Sequence, residues 1–170
     1  MALKFQPRRA ARYYKLKFLR LKGDAESIAR GIGLGIFIGI TPTLPFHTIA
    51  LLICSPLLGA NIIAALLAAT LVSNPMTFFA QYYFSWKIGS LLFPSHVSWN
   101  TIQQLLDFLA SDVTFKEKVA AFLHLGSQTM ATLLAGGFVL ALLPSVAGYF
   151  FSRGAIRRFQ KKRLEKHILS

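Results

Sequence analysis

Apolar residues dominate this chain in two uncharged runs, separated by a stretch with a different rhythm. Between Gly31 and Trp86 there is no Asp, Glu, Lys or Arg, and a second uncharged run extends from Leu125 to Ser152. A spanning helix takes roughly 20 apolar residues to cross about 30 Å of hydrocarbon. The first run therefore has room for two or three passes and the second for one. Between them, Ile102, Leu105, Leu106, Leu109 and Val113 fall at helical spacing, with Asn100, Gln103, Gln104, Asp107 and Ser111 opposite. That periodicity predicts an amphipathic helix within 98–124, lying at an interface outside the membrane.

Proline, glycine and asparagine divide the first run. Ile28 to Ile40 reads as a membrane helix, broken by Thr41-Pro42-Thr43-Leu44-Pro45, because a proline removes an N–H and clashes with the preceding turn. From Phe46 to Val72 the chain forms either one kinked pass or two half-helices, interrupted at Ser55-Pro56 and at Gly59-Ala60-Asn61. Ser73-Asn74-Pro75 is a helix start, with Asn74 at the N-cap and Pro75 in the first turn, and the new helix runs to about Phe93. Its far end carries Tyr82, Tyr83, Trp86 and Lys87, a mixture suited to a membrane interface. In the second run, Gly136-Gly137 and Pro144 are expected to be flexible points.

Charge completes the picture. The 170 residues leave room for one domain, and the formal net charge of +13 is concentrated at the ends. Residues 1–27 form a basic arm containing an interfacial helix over Arg8 to Lys22, read as an uncleaved anchor. Residues 28–152 form a single membrane domain, and 153–170 a basic tail. Flanking cations are expected to place both termini in the cytoplasm. They also suit anionic lipid as a partner, so nucleic acid is not the expected partner. The fold class expected is all-α: a polytopic helical membrane protein with about four membrane segments, some proline-broken or re-entrant. The count is either three crossings plus one, or a re-entrant hairpin over Gly31 to Leu58.

The run Arg30-Gly31-Ile32-Gly33-Leu34-Gly35-Ile36-Phe37-Ile38-Gly39-Ile40-Thr41-Pro42, then Asn61, then Val72-Ser73-Asn74-Pro75-Met76-Thr77, resembles an uncharacterised bacterial membrane family, domain of unknown function 2062. The similarity covers roughly Leu19 to Leu92, and the last membrane segment loosely. The chain departs at Pro45-Phe46-His47, where the family more often has a glycine after the break. The resemblance implies a bacterial inner membrane as the location. Some family members are fused to glycosyltransferase domains, so the resemblance implies a link to envelope glycoconjugate or lipid metabolism, with an envelope glycosyltransferase as candidate partner.

Gly31, Gly35 and Gly39 recur every four residues and form a stripe for close helix packing or a groove for a lipid tail. Ala60, Ala64 and Ala68 form a similar stripe, and the two could pack together. A homo-oligomer through the glycine stripe is the other use of it. The candidate substrate-binding residues are Arg30, Thr41, Pro42, Thr43, His47, Asn61, Ser73, Asn74, Pro75, Thr77 and Lys87. Broken helices in lipid leave polar backbone groups that need partners, and helix termini suit an anion. Arg30 and Lys87 either snorkel to headgroups or bind a phosphate. His47 and Asn61 have ordinary structural roles as the alternative. Cys54 stands alone, and no catalytic set, metal-ligand spacing or cofactor motif is present. The expected function is transport or handling of an anionic, lipid-linked phosphate-like amphiphile rather than enzymatic catalysis. The alternative is an accessory subunit that recruits an envelope enzyme or anionic lipid.

Overall fold

Most of the interruptions read in the sequence end or start a helix. A computed structural model describes residues 23–43, 46–93, 98–111, 114–124 and 127–168; the basic arm over 1–22, Leu44 and Pro45, Val113, and residues 169–170 of the tail lie outside them. The described residues are helical with no strand. Helix α1 spans Ala25–Ile40 and begins where the Asp24 carboxylate accepts the Ser27 N–H at 3.2 Å. It stops at Thr41, whose N–H and hydroxyl both donate to the Phe37 carbonyl, and Pro42 prevents continuation. Helix α2 spans His47–Leu57 and α3 spans Ile62–Val72. The turn between them uses Gly59 at φ +58°, a left-handed conformation that favours glycine. Pro56 does not interrupt α2 as expected; it sits in the last turn, where the helix ends anyway.

Helix α4 spans Pro75–Leu92, as the Ser-Asn-Pro start predicts. The single amphipathic helix expected over 98–124 is instead two, α5 (Trp99–Ala110) and α6 (Phe115–His124). The Ser111 N–H bonds back to Asp107 and Phe108, and the Glu117 carboxylate accepts the Thr114 N–H at 2.8 Å to start α6. Ile102 and Leu106 are buried against Tyr82 and Leu133, with Phe78, Trp86 and Trp99 around them. Asn100, Gln103, Gln104 and Asp107 are exposed, as the pattern predicts.

Helix α7, Ser127–Ile168, has 42 residues and a length of roughly 63 Å. It passes unbroken through Gly136, Gly137, Pro144 and the start of the basic tail. The two glycines are pinned rather than flexible: Gly136 meets the Ser85 carbonyl on α4, and Gly137 meets the Pro42 ring. Helix α7 packs mainly against α1 and α4, and α1 packs on its other side against α3. Gln160 donates to the Gly23 carbonyl at 3.3 Å while Gly137 lies against Pro42, so α7 runs antiparallel to α1. Helix α3 runs parallel to α1, with Asn61 beside Ser27 and Ser73 beside Gly39.

The two small-residue stripes do pack together. A Cβ on Gly31 would meet the Asn61 carbonyl and Ala64, one on Gly35 the Ala65 carbonyl and Ala68, and one on Gly39 the Ala69 backbone. The glycine face is therefore covered by α3 and is not open to a second copy or to a lipid tail. The interior is made largely of Ala, Gly, Ser and Thr, while Leu57, Leu91, Leu143 and Phe151 are 78–83% exposed. The large apolar side chains left outside form an extensive exposed surface.

The proline and glycine breaks cut the first apolar run into helices of 16, 11, 11 and 18 residues, roughly 24, 17, 17 and 27 Å long. The count of four crossing helices is accordingly not reproduced. By length and composition one described helix, Gln128–Lys161 within α7, can cross a membrane; Ile62–Val72 and Thr77–Leu92 pass together but bend by 88° at their break.

Candidate functional site

The ends of α1 and α3 and the starts of α2 and α4 meet in one place, although their breaks lie some thirty residues apart in sequence. The crevice there is lined by Thr41, Pro42, Thr43, His47, Ser73 and Gln81, with Ile38, Gly39, Phe78 and Tyr82 completing the wall. It is narrow, with about 10 Å³ of free core, enough for one water molecule.

Most polar groups at this junction are used to close helix ends. Ser73 donates to the Gly39 carbonyl at 2.5 Å, tying α3 to α1. Thr43 Oγ1 reaches the Ile38 carbonyl at 3.4 Å. Asn74 accepts the Thr77 N–H at 3.2 Å, and the Asn74 N–H points back at Thr77 Oγ1 at 3.3 Å, a reciprocal cap for α4. The Thr77 hydroxyl and Gln81 amide both donate to the Val72 carbonyl, at 2.5 and 3.1 Å, satisfying the end of α3. His47 differs: its Nδ1 is buried with no hydrogen-bond partner among the described residues, and Thr48 Oγ1 lies 3.4 Å from Nε2.

Of the residues selected from sequence, Thr41, Pro42, Thr43, His47 and Ser73 line the crevice, and Asn74 and Thr77 form the adjoining turn. Pro75 starts α4, but its side chain lies outside the described set. Three others are elsewhere. Lys87 is exposed over the Tyr83 ring, further along α4. Asn61 is at the opposite end of α1, where its side chain accepts the Ala64 N–H at 2.9 Å and caps α3. Asn61→Ala is expected to cost about 1 kcal/mol of stability, measured by unfolding of the purified chain in detergent; an unchanged midpoint would show that the cap is dispensable.

Arg30 is also at that opposite end, in a cluster that the sequence reading missed. Glu26 on α1 receives a hydrogen bond from the Tyr149 hydroxyl. Arg153 Nε lies 2.7 Å from Glu26 Oε2, an ion pair by proximity whose N–H is not directed at that oxygen. Arg157 approaches the same oxygen at 3.4 Å, and Arg30 Nε is 3.9 Å from Oε1. Arg30 also donates to the Leu58 carbonyl at 3.2 Å, at the end of α2. The Tyr149 hydrogen bond, followed by the Arg153, Arg30 and Arg157 cations, holds the Glu26 carboxyl below its ordinary value despite partial desolvation. The signal available in the sequence was an acid at the threshold of the uncharged run, with seven cations massed after the second run.

Small residues inside, large apolar residues outside and paired helix breaks define a class: an all-helical bundle with an inverted interior. The chain belongs to the DUF2062 family, described as an uncharacterized protein conserved in bacteria, whose profile matches residues 8–165. That match is wider than the Leu19–Leu92 region that carries the recognisable motifs. No curated protein and no solved structure shows a significant match. Among the described residues, no group of three or more His, Cys, Asp or Glu could hold a metal ion.

Proposed function

We propose that this chain is an integral inner-membrane protein that handles an anionic amphiphile. The observation that carries the reading is the outward belt of Leu and Phe around a Gly/Ala interior, in which two broken helix ends share a polar crevice. Exposed apolar surface on this scale suits lipid, where large side chains face hydrocarbon and small ones let helices approach. The distance along α7 from Thr132, beside Gly89, to Arg153 is roughly 30 Å, about one hydrocarbon thickness. Arg153 and Arg30 then sit at one rim, and the crevice lies at membrane depth. Gly23 and Gln160 are neighbours, which supports both basic termini being on one side, the cytoplasmic side by the positive-inside rule. In this reading α1, α2 and α3 are short segments that reach membrane depth and turn there, with α7 as the spanning element.

The accessory reading is favoured by a different observation: the hydroxyls of Thr41, Thr43, Ser73 and Thr77 are bonded to carbonyls of the protein itself, as expected of packed turns. Single cysteines at Thr43 and Asn74 in a Cys54→Ser background separate the two. Labelling of intact cells by a membrane-impermeant thiol reagent, as well as by its permeant counterpart, is the result expected if the crevice opens to an aqueous path. Labelling by neither reagent, with normal expression, would refute handling at this crevice and leave the accessory role.

A further inference from the structure

The cation cluster at the opposite end of α1 carries more positive charge than its internal partner can balance. Three guanidinium groups stand around one carboxylate, which leaves a surplus of two positive charges. Asp24 is engaged separately, as the cap of α1. One arginine would be enough to dock α7 onto Glu26, and each further one adds repulsion between like charges. The arginines also have free donors. A guanidinium carries five N–H groups, whereas Glu26 offers two oxygens, one already taken by Tyr149. The side chains of Arg30 and Arg157 are 48% and 58% exposed, and that of Glu26 only 24%. Arg30 and Arg157 are therefore the exposed part of the cluster and Glu26 the more covered part, with Arg153 Nε a buried donor between them.

What lies beside the cluster identifies the rest of the ligand. Phe150 and Phe151 are 60% and 82% exposed on α7, within one turn of Arg153, and Val146 and Leu143 are exposed further along the same helix. A forked cationic site next to an open apolar helix face matches an anionic head joined to a hydrocarbon chain. The surplus of two charges matches a dianion better than a monoanion.

We propose that Arg30, Arg153 and Arg157 form a binding site for a phosphate monoester on a lipid, with Glu26 as the internal anion that holds the arginines in place until the ligand arrives. The site is at the end of α1 remote from the crevice, so it stands whether or not the crevice opens. It requires no covalent chemistry. The phosphate takes donors of the exposed arginines, and Glu26 competes with it for the same cations.

The test uses the full chain in detergent, titrated with short-chain phosphatidic acid, short-chain phosphatidylglycerol and inorganic phosphate. The monoester lipid is expected to bind the wild type more tightly than the diester. Arg30→Gln with Arg157→Gln, two exposed positions, is expected to weaken binding at least about tenfold, the loss of charge-assisted hydrogen bonds. Glu26→Gln is expected to bind several-fold tighter, because a competitor has been neutralised. Arg157→Lys keeps the charge but not the fork, and should fall between wild type and Arg157→Gln. Equal affinity for the lipid and inorganic phosphate would show that the site takes free phosphate and overturn the lipid assignment. Wild-type affinity in the double Gln variant, no binding by the wild type, or equal affinity for diester and monoester would overturn the site itself. Glu26→Gln binding no tighter than wild type, with an unchanged elution profile, would overturn the competitor role.

Discussion

Alanine at position 35 is expected to destabilise the chain by about 3 kcal/mol or prevent it from folding. The added Cβ would collide with the Ala65 carbonyl and lie 2.8 Å from the Ala68 Cβ and 2.9 Å from the Ala65 carbonyl carbon. Those atoms belong to a helix backbone and its shortest side chain, which cannot rotate away. Relief requires α3 to back off from α1 along the whole seam, loosening Gly31 against Asn61 and Gly39 against Ala69 as well. Gly154→Ala on α7 is the matched control, since nothing lies within 4 Å of its added Cβ. There the helix interior gains about 0.5–1 kcal/mol from the lost glycine entropy. Unfolding of both variants in detergent checks the pair; equal midpoints would show that the α1–α3 seam is not in backbone contact.

The second large effect is acid sensitivity centred on Glu26. Its folded carboxyl titrates below the ordinary value of 4.5, first because Tyr149 donates to it and then because of the Arg153, Arg30 and Arg157 cations. A lowered folded pKa means that the unfolded chain takes up the proton first as the medium is acidified. The stabilisation is therefore complete above about pH 4.5 and falls away as pH drops through the folded value. Protonation would leave three arginines around a neutral acid, with repulsion no longer offset. Wild-type protein is expected to lose unfolding temperature as the pH falls below the ordinary carboxyl value of 4.5, whereas Glu26→Gln starts lower at neutral pH and lacks that part of the slope. Parallel melting curves for the two proteins across this range would show that Glu26 does not couple α1 to α7.

How much of this was legible in the sequence depends on the range of each interaction. The Thr41-Pro42 break, the Asn74 cap and the Gly31/Gly35/Gly39 stripe are local patterns, and each appears where its chemistry places it. The partner of the stripe was also readable, because Ala64 and Ala68 repeat at the same spacing. The Glu26 cluster was not readable, because Tyr149 and Arg157 are 123 and 131 residues away, and nothing in a helical period specifies such pairs. Gly136-Gly137 misled for a similar reason: glycines that look flexible locally are fixed by a neighbouring carbonyl and a proline ring. The 98–124 segment was read as one helix because its apolar spacing continues past residue 110, whereas the Ser111 and Thr114 capping bonds divide it. Asn61, selected as a candidate binding residue with a structural role as the alternative, has the structural role: it caps α3.

The unbroken course of α7 has a mechanical consequence. Arg153 and Gly137 lie on one continuous rod, sixteen residues or roughly 24 Å apart, and Gly137 bears on Pro42 at the crevice wall. A tilt of about 10° pivoting near Arg153 would carry Gly137 about 4 Å, given that rise per residue. Such a displacement would free Pro42 from its stop. Any reorientation of α7 is therefore shared by both ends, since no break in the helix lies between Arg153 and Gly137.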